Sequence, residues 1–121
     1  MTPLVFAAVA LAGGVGAAAR YLLDVGIRRR TGESFPWGIL VVNLSGALVL
    51  GILSRLPADE AWRWILGTGL IGGYTTFSAV AVATALFAEE GRTRTATVYA
   101  VASFVGSVVA AAVGIGIGSL L

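Results

Sequence analysis

The chain has 121 residues, 58% of them hydrophobic and 12% charged, with a mean hydropathy of +0.95. Its eight basic residues are all arginine against six acids, and they sit at segment ends, which excludes the clustered basic groove of a nucleic-acid-binding protein. Cysteine and histidine are absent, excluding disulfides, thiolate metal centres, hydrolytic triads and zinc sites, so no enzyme is expected.

What remains is an all-α membrane protein with one domain over residues 1–121 and four transmembrane helices, at about 4–23, 35–54, 64–88 and 95–120. Four short segments enclose little core, so an oligomer is expected. Residues 4–23 carry Arg20 as their only charge and lack the charged start and small-residue cleavage site of a signal peptide, so they read as a retained helix. Gly14, Gly16 and Ala19 match a dinucleotide-binding fingerprint, but no strand precedes them. With Gly13 they read instead as a small-residue face for close helix packing.

Residues 24–34, with Arg28, Arg29, Arg30 and Gly32, read as a polar loop. The second helix opens at Pro36 and Trp37, ends before Arg55 and Pro57, and carries Asn43 near its middle with Gly46 on the same face. An amide at that depth faces protein or water, either as glue between helices or as a functional group. Residues 56–63 form a short loop, and Trp62 and Trp64 belong to an aromatic belt.

Residues 64–88 are 25 uncharged positions, a helix of roughly 37 Å at 1.5 Å per residue, longer than a bilayer core. In their middle lies GLIGGYTTFS at 69–78. Gly72 and Gly73 are poor helix formers, and Tyr74, Thr75, Thr76 and Ser78 bring hydroxyls to a depth where lipid offers no hydrogen bonds. The third helix is therefore predicted to break near the midplane. Its hydroxyls either repair the break or serve an ion held by exposed backbone groups. The final helix is uncharged from Thr95 onward and carries Ser103, Ser107 and a packing motif, Gly114-x-x-x-Gly118.

Four spans put Arg28, Arg29, Arg30, Arg92 and Arg94 on one side and Arg55 and Arg63 on the other, so the positive-inside rule places both termini outside the cell membrane. Arg20 lies near the five-arginine side and is expected to snorkel toward it.

Three blocks in order, GGVGAAARY at 13–21, PWGILVVNLSGALVLG at 36–51 and GLIGGYTTFS at 69–78, resemble the bacterial fluoride channel family known as Fluc or CrcB. The resemblance implies passive fluoride export across the cell inner or plasma membrane by an antiparallel dimer with two pores at its interfaces. It also implies a central sodium ion that is structural and not transported. By motif position, Asn43 and Phe77 match pore residues, Ser78 belongs to the polar pore track, and Ser107 is a candidate for the same role. Gly72 and Thr75 match the residues whose backbone carbonyls coordinate sodium, and Arg20 matches the arginine after the glycine-rich start. The chemistry agrees. Amide and hydroxyl donors replace fluoride's water, a phenylalanine edge is a weak anion contact, and backbone carbonyls are hard ligands for an alkali cation.

Beyond Ser78 the family pattern continues Thr, Phe, Ser, any residue, Glu, whereas this chain reads Ala79, Val80, Ala81, Val82 and Ala83; Ile39 replaces the threonine after Pro-x-Gly. In the family each pore takes its two phenylalanines from different subunits. Val80 together with the arginine bias favours a heterodimer with an oppositely oriented sister chain, while a homodimer stays open. Two alternatives remain: a non-conducting assembly subunit of such a channel, and a small multidrug-resistance-type transporter. The latter requires a membrane-embedded acid, and the acids here are read in loops or at helix ends.

Overall fold

The computed structural model describes residues 1–121, all of them in helices and short connections. Helix α1 (Pro3–Thr31) starts cleanly: Thr2 Oγ1 accepts the Val5 N–H at 3.1 Å, and Pro3 has no N–H to leave unpaired. It does not end at Leu23. The segment read as a polar loop continues the helix through Arg28, Arg29 and Arg30, because charge marks where a membrane ends and not where a helix must. Asp24 and Arg28 pair at 3.2 Å one turn apart, and the arginines complement the negative end of the helix dipole. Gly32 stops it, at φ 79° and with its N–H on the Arg28 carbonyl at 2.9 Å. Asp24 thus lies within a helix, not in a loop.

Helix α2 (Trp37–Leu53) has 17 residues, about 25 Å by helical rise. The next helix, α3 (residues 60–74), begins before the predicted 64, since Asp59 Oδ1 caps the Trp62 N–H at 3.0 Å and draws Glu60–Trp62 into helix. From Arg63 to Ile71 it is π-helical, which the sequence reading did not anticipate, and it closes with Gly72–Tyr74. After an interruption at 75–77 come α4 (Ser78–Glu89) and α5 (Thr93–Leu120), joined through Gly91 at φ 78°.

The helices pack in pairs through glycine. Between α2 and α5, a Cβ on Gly51 would lie 3.0 Å from Ile115 N, and one on Gly118 would lie 2.7 Å from the Ile52 carbonyl. Between α1 and α3, Gly16 faces the Leu70 carbonyl and the backbone of Gly73 and Tyr74, while Gly69 faces Val9. Gly14 points into open space, so the small-residue face predicted on α1 runs through Gly13 and Gly16. The Gly114–Gly118 pair is likewise a packing seam.

A small core of Leu40, Phe87, Ala96 and Tyr99 lies toward one end, with Phe35 and Phe87 edge-on to Tyr99 at 5.4 and 6.2 Å. Only 15 of 121 residues are buried, so most of the apolar surface is left for lipid or another subunit to cover. Pro3–Thr31, Glu60–Glu89 and Thr93–Leu120 are long and apolar enough to cross a membrane, and Trp37–Leu53 is a shorter apolar helix. The protein is a multi-pass, all-α membrane protein with its third span broken. Arg92 Nη2 donates to the Ser34 carbonyl at 2.9 Å, bringing both arginine-rich connections to one end, and Arg55 Nε reaches Ser119 Oγ at 3.2 Å at the other.

Candidate functional site: the broken third span

The break is at Thr75, whose ψ of 160° takes the chain out of the helix after Tyr74. Gly72 and Gly73 make the approach weak, and Gly73 is also required by packing, since a Cβ there would lie 2.8 Å from the Gly13 backbone. In hydrocarbon each freed backbone group needs a partner, so the question is where those groups go. Part of the answer is local. Thr75 Oγ1 donates to the Ile71 carbonyl at 3.0 Å, and Thr76 Oγ1 accepts the Ala79 N–H at 3.2 Å, capping α4. Of the two, only the Thr76 hydroxyl takes up a freed group, since the Ile71 carbonyl also accepts the Thr75 N–H at 2.9 Å.

The rest comes from other helices. Asn43 of α2, 9% exposed, accepts the Thr76 N–H on Oδ1 at 2.8 Å and donates from Nδ2 to the Thr76 carbonyl at 2.9 Å. Ser45 and Tyr74 share a hydroxyl–hydroxyl bond of 2.8 Å. Gly46 faces the Thr75 side chain and the Tyr74 ring with no room for a Cβ. From α1, Arg20 Nη1 donates to the Thr75 carbonyl at 3.2 Å. The expectation that Arg20 snorkels toward the headgroups is corrected: an unpaired carbonyl at the break is the nearer acceptor for a guanidinium leaving that face of α1.

One side of the break opens onto a groove of about 810 Å³ between α2, α4 and α5. Asn43, Thr75, Phe77 and Ser107 all line it, so the structure brings these predicted residues together. Phe77 is 85% exposed within the single chain. Val80 lines the same groove while packing against the Leu40–Tyr99 core. Ser78 is not among the lining residues; its hydroxyl lies 3.2 Å from Thr76 Oγ1. Gly72 and Arg20 also lie outside the lining. Thr84 and Ser103 line the groove too, and their buried hydroxyls have no partner in the chain. The signal for them was periodicity. Phe77, Val80 and Thr84 recur at i, i+3 and i+7, and Ser103 and Ser107 at i, i+4, each set on one helix face.

Whether this break suits an alkali cation depends on its carbonyls. The Thr76 N–H goes to Asn43 and therefore does not close the i→i−4 bond onto Gly72, which leaves that carbonyl without its helical donor. Thr75 offers its oxygen too, with one direction taken by Arg20. Two hard backbone oxygens fit sodium chemically. By themselves they are too few for a coordination sphere. No group of three His, Cys, Asp or Glu side chains is placed to hold a metal.

A four-span membrane protein with its third span interrupted, and polar groups converging on that interruption, belongs to the channel and transporter class of integral membrane proteins. Residues 7–115 match the sequence model of the family described as CrcB-like protein, Camphor Resistance (CrcB). Relatives include a protein named fluoride-specific ion channel FluC 1 from Leifsonia xyli subsp. xyli, 43% identical over 99% of this chain and 90% of its own length. A FluC 2 of Mycolicibacterium paratuberculosis is 42% identical over 93% of each chain, and a FluC 2 of Nitrobacter hamburgensis is 40% identical over 88% of this chain and 87% of its own. The chain belongs to the CrcB family.

Proposed function

We propose that this chain is a subunit of a passive, fluoride-selective channel that exports fluoride from the cytoplasm. The observation carrying this reading is the groove at the break. Phe77 projects into it, Asn43 and Ser107 line it, and it is open on one side, in a chain similar over 99% of its length to a protein named a fluoride-specific ion channel. A dehydrating anion path needs amide and hydroxyl donors, and a weakly electropositive ring edge lets the ion leave again.

An oppositely oriented second subunit closes the groove into a pore. It also supplies the other carbonyls around a structural sodium ion, completing the set begun by Gly72 and Thr75. Five arginines at one end against two at the other support a fixed orientation with the termini outside and the five-arginine end in the cytoplasm. Val80 stands where a second ring is expected, which supports a heterodimer with a sister chain that supplies it. The mostly apolar lining beyond Phe77, with Val80, Ala81, Ala85 and Ala88, favours a second reading in which one of the two grooves is closed and the chain serves there for assembly.

The test is fluoride efflux, with chloride as control, from liposomes holding the purified chain alone and then with an oppositely biased sister chain. Selective fluoride efflux in either arm is expected, and a larger flux with the sister supports the heterodimer. No fluoride flux in both arms overturns the channel reading.

A further inference from the structure

The third span has the residues to be a continuous, if weak, helix: nothing between Arg63 and Glu89 is proline or charged. In such a helix the Thr76 N–H would bond the Gly72 carbonyl and the Thr76 carbonyl would take the Val80 N–H. Neither bond forms. One side chain from another helix occupies both groups, since Asn43 Oδ1 holds the N–H at 2.8 Å and Asn43 Nδ2 holds the carbonyl at 2.9 Å.

We propose that Asn43 is a positioning residue that keeps the third span open: its carboxamide holds both polar groups of Thr76, withholds from the Gly72 carbonyl the amide that would close the helix, and fixes the turn from which Phe77 projects. The proposal rests on the channel reading for its functional consequence, but not for its geometry. A carboxamide suits the task because it carries one acceptor and one donor side by side, the complement of a residue's own N–H and C=O. A serine offers one oxygen, an aspartate only acceptors when ionised, and a leucine nothing. Asn43 is 9% exposed, so a missing partner here leaves a largely desolvated group unpaired.

The anchor is itself held. Gly46, one turn beyond Asn43, sits against Thr75 and Tyr74 without space for a side chain, and Ser45 bonds the Tyr74 hydroxyl at 2.8 Å. Helix α2 therefore grips the chain just before the break through Ser45 and Gly46 and within it through Asn43. Gly72 lies four residues before Thr76 and Phe77 one after, so a single clamp acts on both the carbonyl offered to a cation and the ring offered to the anion. Because Nδ2 carries two protons and Thr76 uses one, the second is left for the groove that Asn43 also lines. The amide is thus oriented before any ion arrives, with no rotamer left to order.

The experiment measures backbone amide exchange in the full chain, labelled with ¹⁵N-threonine in micelles, alongside fluoride efflux from liposomes with and without the sister chain. Asn43→Leu removes both bonds. Asn43→Asp is nearly isosteric and, protonated or not, keeps an oxygen for the Thr76 N–H. In Asn43→Leu, Thr76 is expected to exchange at least about tenfold faster while Thr97, in α5, is unchanged. In Asn43→Asp, Thr76 keeps most of its protection while efflux falls, because an acid replaces the donor facing the groove. Thr76 protection within twofold of the unmodified chain in Asn43→Leu, with efflux lost, would mean that Asn43 acts only on the ion and would overturn the clamp. Equal loss at Thr76 and Thr97 in both variants would overturn it as well, showing general loosening. If the unmodified chain passes no fluoride in any arm yet Thr76 alone is deprotected by Asn43→Leu, the clamp stands and the channel reading falls.

Discussion

Arg20 of α1 and Thr75 at the break are 55 residues apart in sequence and joined by a 3.2 Å hydrogen bond from the guanidinium to the backbone carbonyl. A cation held at a carbonyl inside a membrane span does two things: it satisfies an acceptor that lipid cannot, and it places positive charge on a residue, Thr75, that lines the groove. Arg20→Gln should lower stability in detergent by about 1.5–3 kcal/mol, the range for a hydrogen bond involving a charged group. Arg20→Lys, whose ammonium has a shorter reach and no fork, should recover only part of that in the same thermal unfolding series.

The two glycines flanking Val15 should behave oppositely. A Cβ on Gly16 would be driven into the Leu70 carbonyl, with Tyr74 N at 2.8 Å, and backbone cannot swing aside, so Gly16→Ala should destabilise by roughly 1–3 kcal/mol or prevent assembly. On Gly14 a Cβ meets nothing within 4 Å, so Gly14→Ala should be neutral or stabilise by up to about 1 kcal/mol. Equal losses in the two variants would show that α1 does not pack on α3 through this face.

Phe77 separates conduction from folding because its ring is 85% exposed in the single chain. Phe77→Ile should leave the unfolding of the chain within about 0.5 kcal/mol of the unmodified protein, as for other exposed positions. Fluoride efflux should nonetheless fall at least tenfold, read with an ion-selective electrode. Unchanged efflux would remove the ring from the pore.

Val80→Phe sets two effects against each other. The side chain lines the groove but also packs on the core of Leu40, Phe87, Ala96 and Tyr99, so added volume should cost about 1–3 kcal/mol. If the missing ring is what limits a homodimer, the variant alone should pass fluoride faster than the unmodified chain alone despite that cost. Efflux equal to or below the unmodified chain would argue against a missing ring as the limit.

Orientation can be read directly, since the chain has no cysteine. Leu121→Cys should be modified by a membrane-impermeant maleimide added to intact cells, and Glu33→Cys, an exposed position beside the three arginines, should react only after lysis. Equal labelling of both positions in intact cells would indicate insertion in two orientations.

Several of these expectations were legible in the chain itself. Uninterrupted apolar runs define the spans, and the clustering of Gly72, Gly73, Thr75 and Thr76 within one of them marks the interruption, because glycine and hydroxyl chemistry act within a turn or two of the chain. Helix ends were less legible. Arg28, Arg29 and Arg30 look like a loop to a reader of hydropathy, yet they complete α1, since helix backbone is stable on both sides of a membrane boundary. Glu60 was missed for the related reason that an N-cap, here Asp59, can start a helix ahead of its apolar part. The π-helical run from Arg63 to Ile71 has no comparable sequence mark.

Read as a chain alone, these residues already define a four-span membrane protein of the CrcB family's pattern with a weak point in its third span somewhere within residues 69–78. What fixes the interruption at Thr75 to Phe77 and holds it open emerges only from packing, because the partners come from helices 33 and 55 residues away: Asn43 on both groups of Thr76, and Arg20 on the Thr75 carbonyl. A donor or acceptor can be recognised in a sequence, but its partner is chosen by which helices pack together. Here the glycines that let α1 and α3 touch backbone to backbone, and Gly46 that lets α2 close on the break, made that choice.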